Sequence, residues 1–398
     1  MAARMTHRER LLAAIRRQPL DKIPCSPRLG EALYIYYGIP RTTPWALQQP
    51  SNPDFHLALR AARDPAVDLD PHLQTSTGVP NPIFAWDDNS YGLREVKLDY
   101  SKQDDGDCEI ITRLFHTPAG DLRERLRMPK PGTPLYGVDP NPSHLERLVK
   151  GPEDLDAVRY LVPRVEDYDV GATYRTVAKW AGEDGLVYAF VRSPMDSQAG
   201  WAYPMEDLMV DYFERREFFD VLLNIWHEKM MAELKAVLER GAKAVFVSWY
   251  FTSMSVGWSP AIFRDAFLPA IKASVALVDS YRAIYDYYDD GKCMGIIDMV
   301  KEAGVDVFQT LTPPPVGDAD LAEIKRRIGD AVCLMGYTDL IYVLEKGTPR
   351  QVTKTVREAI EIAGPTGFIL GTSDGIREST PRENITAYFA AAKKYGKI

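Results

Sequence analysis

The chain has 398 residues, is 45% hydrophobic and 26% charged, and carries a formal net charge of −8. That composition is enough for a sizeable core in one large domain or two medium ones, and the negative balance argues against nucleic acid or an anionic membrane as partner. No apolar run approaches the ~20 residues that span a bilayer. Four cysteines, Cys25, Cys108, Cys293 and Cys333, stand far apart without a CxxC pair, and the first residues are charged rather than signal-like, so a reducing cytoplasmic location is expected.

In chain order, Thr6 to Gln18 predicts a helix capped by Thr6, with Glu9 three residues on and Leu11, Leu12 and Ile15 sharing one face. Asp21 to Cys25 suits a first strand, with Arg28 just beyond it. Tyr34 to Pro82 is proline-rich and irregular, with room for one more strand. Leu93–Tyr100, Glu109–Phe115 and Leu122–Met128 predict strands joined by Asp104-Asp105-Gly106-Asp107 and Pro118-Ala119-Gly120-Asp121, an antiparallel excursion within residues 83–129. Pro131 to Pro142 reads as a crossing segment.

Beyond it helix and strand alternate. Helices are predicted at Pro152–Tyr160, Val170–Ala181, Met205–Phe213 and Phe218–Arg240. Short buried strands are predicted at Leu186–Val191, Ala244–Tyr250, Ala283–Tyr288, Val305–Leu311, Ala331–Met335 and Gly367–Leu370. About eight strands alternating with helices favour a (β/α)8 TIM barrel, here a single domain over residues 1–398 with an N-terminal extension and the antiparallel excursion inserted. No GxGxxG or P-loop motif points to a nucleotide fold.

In such folds chemistry collects at the carboxyl ends of strands. There the sequence offers Arg192, the run Ser248-Trp249-Tyr250-Phe251, Tyr288 with Asp290, Tyr337, and Asp374. Tyr288 and Asp290 are two apart, so an extended strand aims them to one side. Arg28 and Arg192 suit a substrate carboxylate, which a guanidinium grips with two hydrogen bonds. Each feature has a plainer reading: Asp290 before Gly291 and Asp374 before Gly375 also suit caps and turns, and the arginines suit surface ion pairs. Cys293 is read as a structural cysteine. His72 lies near two acids in sequence, Asp68 and Asp70.

Several runs resemble the uroporphyrinogen decarboxylase superfamily, which includes cobamide-dependent methyltransferases. They are Thr6-His7-Arg8-Glu9-Arg10 with Asp21-Lys22-Ile23-Pro24, and Ser259-Pro260-Ala261-Ile262-Phe263-Arg264 with Leu268-Pro269. Gly304-Val305-Asp306-Val307, Gly336-Tyr337-Thr338-Asp339 and Gly371-Thr372-Ser373-Asp374-Gly375-Ile376 complete the set. The resemblance implies a (β/α)8 barrel, as a monomer or homodimer. Where true decarboxylases carry an Arg-Gln-Ala-Gly-Arg segment, this chain has Ser26-Pro27-Arg28-Leu29-Gly30. Where thiol-methylating relatives bind zinc through His-x-Cys and a distant Cys, it has Tyr288, Asp290 and Asp374.

The resemblance therefore implies an O-demethylase-type methyltransferase. It would move methyl from a methoxylated, often aromatic, substrate to cobalamin carried on a partner corrinoid protein. Asp290, Asp374 and Tyr288 would assist the leaving oxygen, with Arg28, Arg192, Ser248, Trp249, Tyr250, Phe251 and Tyr337 around the substrate. Asp290 and Asp374 would be the ligands of a divalent metal such as zinc, were one bound. A decarboxylase of a small or tetrapyrrole carboxylic acid is the alternative, and an idle ligand-binding barrel a third reading.

Overall fold

The computed structural model describes residues 4–39, 53–85, 88, 92–130, 142–198 and 202–398. Most of the crossing segment at 131–142 and part of the proline-rich region (40–52) lie outside the described residues. The chain divides into two compact units: Met1–Thr77 with Gly171–Val191 and Val237–Ile398, and Gly78–Val170 with Arg192–Ala236. Strands in chain order are β1 His72–Ser76, β2 Lys97–Asp105, β3 Cys108–Thr117, β4 Gly120–Pro129, β5 Ser143–Glu146 and β6 Leu186–Arg192. They continue as β7 Ala244–Ser248, β8 Ile284–Tyr288, β9 Val307–Gln309, β10 Cys333–Thr338 and β11 Phe368–Thr372.

The first unit is built on a seven-stranded sheet of order β1-β6-β7-β8-β9-β10-β11, parallel at β1–β6, β7–β8, β8–β9, β9–β10 and β10–β11. Strands β7 and β11 are buried at every position, the pattern of a parallel sheet covered on both faces. Helices Leu268–Ser280, Ile297–Ala303, Leu321–Ile328 and Pro349–Ala363 separate these strands and turn apolar stripes inward, such as Leu321, Ile324 and Ile328. The strand expected in the proline-rich region is β1.

The strand expected at Asp21–Cys25 is not a ladder. Pro24 and Pro27 deny it amide donors, so its pairing with a named strand is one isolated parallel bridge, Cys25 to Leu370. Even so, Ser26 N donates to Leu370 O (2.8 Å), Leu370 N to Pro24 O (2.9 Å) and Asp70 N to Cys25 O (2.9 Å). The sequence led to about eight strands; the sheet has seven, with this short segment bonded to β11.

The N-terminal helix, His7–Ile15, starts as its sequence requires, with Thr6 and Glu9 forming a reciprocal capping box. Arg10 on that helix is 1% exposed. It is held by Asp21 (2.7 and 2.9 Å), Asp70 and the carbonyl of Met5 (2.9 Å).

The second unit contains the antiparallel sheet β2-β3-β4-β5. Its β2–β3 register runs from Lys97 opposite His116 to Asp105 opposite Cys108, so Gly106-Asp107 is a two-residue hairpin. The predicted first strand began four residues early, at Leu93. Arg113 and Glu124 face each other across β3–β4 and pair in the core, and Arg113 also donates to the carbonyls of Pro82 (2.7 Å) and Ile83 (3.1 Å). A buried guanidinium needs such partners.

Candidate active site

At the carboxyl ends of β7, β8 and β11 three distant stretches converge. The loop after Cys25 is zipped onto the closing segment: Arg28 N donates to Thr372 Oγ1 (3.1 Å), Ile376 N to Arg28 O (3.1 Å) and Glu31 N to Ile376 O (2.8 Å). Gly30 makes the closest approach. Its φ is +46°, and a Cβ there would lie 2.3 Å from the carbonyl oxygen of Ile376. Only glycine fits that contact without displacing backbone.

Held this way, Arg28 projects over the aromatic side chains of β7 and β8. Its guanidinium carbon lies 4.5 Å from the Tyr288 ring centroid and 5.7 Å from that of Phe246. Its Nε is 3.3 Å from Asp374 Oδ1. Asp374 is 44% exposed, so that ion pair contributes about 1 kcal/mol or less, whereas a partly desolvated cation over a ring is worth about 0.5–2 kcal/mol. The ring is at least as important as the carboxylate in orienting Arg28. Burial works against the Arg28 charge, but Tyr288, Asp374, Asp290 and Asp286 together outweigh it and strengthen its hold on the proton. Its Nη1 is buried without a hydrogen-bond partner among the described residues.

Asp290 follows the end of β8. Its carboxylate accepts from Thr312 Oγ1 (3.0 Å) and lies 3.5 Å from Thr310 Oγ1. Burial, and then the negative charge of Asp374, push its carboxyl above the usual aspartate range against the pull of Thr312, the Gly291 amide and Arg28. It is not a helix cap: the next helix starts at Ile297 behind Ile296, and Asp318 instead takes the Cys293 and Met294 amides (2.7 and 3.1 Å). Nor does Asp374 cap the final helix, whose N-cap is Pro381.

Arg28, Tyr288, Asp290 and Asp374 thus come together, while other sequence candidates are placed elsewhere. Trp249 is 1% exposed, and its Nε1 donates to Tyr285 Oη (3.0 Å), which in turn meets Ser274 Oγ (2.9 Å). It is a core residue there. Tyr250 is exposed and packs edge-on against Phe251, with ring centroids 4.9 Å apart. Ser248 is buried at the end of β7. Tyr337 (φ +82°) has its hydroxyl pushed up by burial and then by Asp320 and Glu358. Arg192 belongs to the second unit, where burial lowers its hold on the proton and Asp196 and Glu233 oppose that. Cys293 is buried with its thiol pushed up by burial and then by Asp318 and Asp289, so it is not a ready thiolate.

Sequence reasoning missed Phe246, Thr312 and the buried cluster of His72, Asp286 and Gln309. Asp286 Oδ2 accepts from His72 Nε2 (2.8 Å) and from Gln309 Nε2 (2.6 Å). One signal was available: Asp286 is two before Tyr288, so strand alternation puts it on the same side. His72 was noticed for Asp68 and Asp70, yet its partner is 214 residues away.

A resident metal is a poor fit to this donor set. Among the described residues no three His, Cys, Asp or Glu side chains gather as ligands. The two carboxylates that share the site, Asp290 and Asp374, already face the guanidinium of Arg28. Among the described residues no helix is long and apolar enough to cross a membrane.

The sequence profile described as uroporphyrinogen decarboxylase (URO-D) matches residues 131–395. The chain belongs to the uroporphyrinogen decarboxylase family. As a URO-D family chain it is 24% identical over 277 residues to the uroporphyrinogen decarboxylase of Gloeobacter violaceus, covering 67% of this chain and 76% of that one. It is 29% identical over 154 residues to a methylated-thiol–coenzyme M methyltransferase of Methanosarcina mazei, covering 39% of this chain and 38% of that one. A solved methyltransferase structure from Methanosarcina mazei superposes with a TM-score of 0.67 at 17% identity, over 98% of this chain and 99% of that one. At that identity the likeness shows a shared fold. Family membership thus spans enzymes named as decarboxylases and as methyltransferases, as the sequence motifs led one to expect.

Proposed function

We propose that this URO-D family protein transfers a methyl group from a methoxylated substrate to a cob(I)alamin on a corrinoid carrier protein. The observation that carries the reading is Asp290, a carboxyl raised by burial and by Asp374. A carboxyl that holds its proton can donate it to an oxygen leaving group. In the transfer the O–CH3 bond breaks, methyl passes to the carrier's cobalt, and the oxygen keeps the bonding pair and takes a proton. The corrinoid supplies the nucleophile; this chain's residues do the rest. Asp290 donates the proton, Asp374 strengthens its hold on that proton until transfer, and Arg28 over Tyr288 anchors an anionic group of the substrate.

Cys25 and Cys333, like Cys293, are buried, and burial pushes the thiol of Cys25 up to about 12, so none of the three is a ready ligand for a soft metal. Replacing Asp290 by Asn removes the proton and should lower transfer to the carrier by about 100-fold or more. Unchanged methyl transfer in that variant would overturn the assignment.

A second reading, decarboxylation of a carboxylic acid, is favoured by Arg28 standing in the same site as Asp290. There Arg28 clamps a carboxylate and Asp290 delivers the proton that replaces it. Release of carbon dioxide from a carboxylated substrate, with no corrinoid present, would select this reading over methyl transfer.

A further inference from the structure

The turn that carries Asp290 is gripped by side chains from the loops on either side of it, all within the first unit. On the β9 side, Thr310 Oγ1 donates to Asp289 O (3.0 Å) and Thr312 Oγ1 to the Asp290 carboxylate (3.0 Å), while Asp318 takes the Cys293 and Met294 amides. On the β7 side, Ser253 Oγ donates to Asp290 O, and Lys292 N donates to Ser255 Oγ (2.8 Å). The two serines are themselves joined, Ser255 N donating to Ser253 Oγ (3.1 Å).

The loop that bears the serines is firmly anchored. It begins at the buried Trp249, whose amide donates to Tyr288 O (2.9 Å), and winds into a short 3-10 helix, Tyr250–Thr252. Thr252 Oγ1 donates to Trp249 O (2.7 Å), Ser253 N to Tyr250 O (3.1 Å) and Trp258 Nε1 to Phe251 O (2.9 Å). Ser253 is fully buried, and its hydroxyl both donates, to Asp290 O, and accepts, from Ser255 N. The loop also lies against Gly291. That residue has φ +84°, and a Cβ there would lie 2.0 Å from Ser255 Oγ and 2.8 Å from Ser255 Cβ. A glycine is what lets the serines reach the turn.

Ser253 thus holds the carbonyl of the same residue whose carboxyl rests on Thr312. Loss of its hydroxyl leaves that carbonyl and the Ser255 amide without their partner, and frees the 290–291 peptide to rotate and carry the carboxyl away. A displacement of about 1 Å at a reacting group costs up to about 100-fold in rate. We infer that Ser253 and Ser255 are positioning residues that fix the Asp290–Gly291 peptide and so keep the Asp290 carboxyl aimed at the oxygen or carbon it protonates. This rests on Asp290 being the proton donor, a role that methyl transfer and decarboxylation share.

The test compares the full chain with Ser253→Ala and Ser255→Ala. Ser255 is exposed, so its variant keeps the fold even where Ser253→Ala weakens it. With 3-methoxybenzoate and a cob(I)alamin-loaded carrier, Ser253→Ala should lower kcat about tenfold or more and Ser255→Ala by less. KM should stay within about twofold, because the anchoring Arg28 sits on a different segment. In an Asp290→Asn background neither serine change should lower the residual rate further, as holds for residues acting through one group. Crystal structures of the variants give a readout that needs no substrate: Asp290 Oδ1 should move beyond about 3.5 Å from Thr312 Oγ1, out of hydrogen-bond reach. A carboxyl that stays on Thr312 in both variants, or a kcat loss of equal size in the Asp290→Asn background, would overturn the proposal. No transfer by the wild-type protein would count against the methyltransferase reading alone, and the variant structures would still decide the role of the serines.

Discussion

The guanidinium of Arg28 lies 4.5 Å from the ring centroid of Tyr288, and the two residues are 260 positions apart in a chain that brings them together through strands β8 and β11. The same guanidinium faces Asp374 and, through its charge, Asp290. One side chain therefore links every acid of the site, and its shape matters as much as its charge.

Arg28→Lys keeps the charge but loses the planar stack and the fork. Catalysis should fall about tenfold or more, an effect of at least ~1.4 kcal/mol, while the fold survives. With the cation no longer held near Asp290, the Asp290 carboxyl should rise further. The high-pH limb of the rate profile, where the donated proton is lost, should move to higher pH. A limb that stays in place would show that Arg28 does not act on Asp290.

Asp290 also makes a stability prediction of definite sign. Its folded carboxyl is raised above the unfolded value of about 4. Between those two values the folded state holds more protons, so stability falls as pH rises through the folded value. Asp290→Asn removes the buried charge and should raise the melting temperature near pH 7–8. The gain should vanish below about pH 4, where both proteins are neutral at this position. A variant less stable than wild type at neutral pH would contradict the burial argument.

The N-terminal network behaves oppositely. Burial alone would raise the Asp70 carboxyl, but the His7 hydrogen bond and the charges of Lys22 and Arg10 hold it below its usual range, and Arg10 does the same for Asp21 against its desolvation. Their stabilisation is present above about pH 4 and is lost as acid titrates them below it. Arg10→Ala removes the ion pair of Asp21 and leaves Asp70 to His7 and Lys22, and should cost about 3 kcal/mol in denaturant unfolding at pH 7. The difference from wild type should shrink as pH drops toward the folded values of the two carboxyls.

Neighbours in sequence separate structural from surface roles. Trp249→Ala should cost about 3–5 kcal/mol by leaving a cavity beside Tyr285. Tyr250→Ala, at an exposed position, should change stability by about 0.5 kcal/mol or less. Equal losses would mean that Tyr250 is covered in the working protein.

Gly30→Ala tests the zipper that sets Arg28. The added Cβ meets a backbone oxygen at 2.3 Å in a left-handed conformation. The conformation alone costs about 1–2 kcal/mol. Activity should fall with stability, and Arg28→Lys should then have a smaller effect than in the wild-type background. Full activity would show that Arg28 is positioned without this contact.

Much of the scaffold was legible because local rules govern it. The β3 and β4 hairpin, the Thr6–Glu9 cap and the alternation of buried strands with helices each follow from residues within a few positions of one another. Tyr288 and Asp290 were legible for the same reason, as neighbours two apart at a strand end. The first strand was misjudged because Pro24 and Pro27 withhold the donors a ladder needs, and periodicity does not register that loss.

The sequence by itself determined the element order, the URO-D family motifs and the acids at the strand ends. Only tertiary structure decided which of them meet. Strand order brings β8 and β11 onto one sheet, and the approach of Gly30 to Ile376 sets Arg28 among their acids. The fold pairs His72 with Asp286 rather than with its neighbours in sequence, and it turns Trp249 into the core. The reason is physical: side-chain chemistry is written residue by residue, but burial and through-space charge, which raise Asp290 and orient Arg28, depend on distances the chain acquires only when folded.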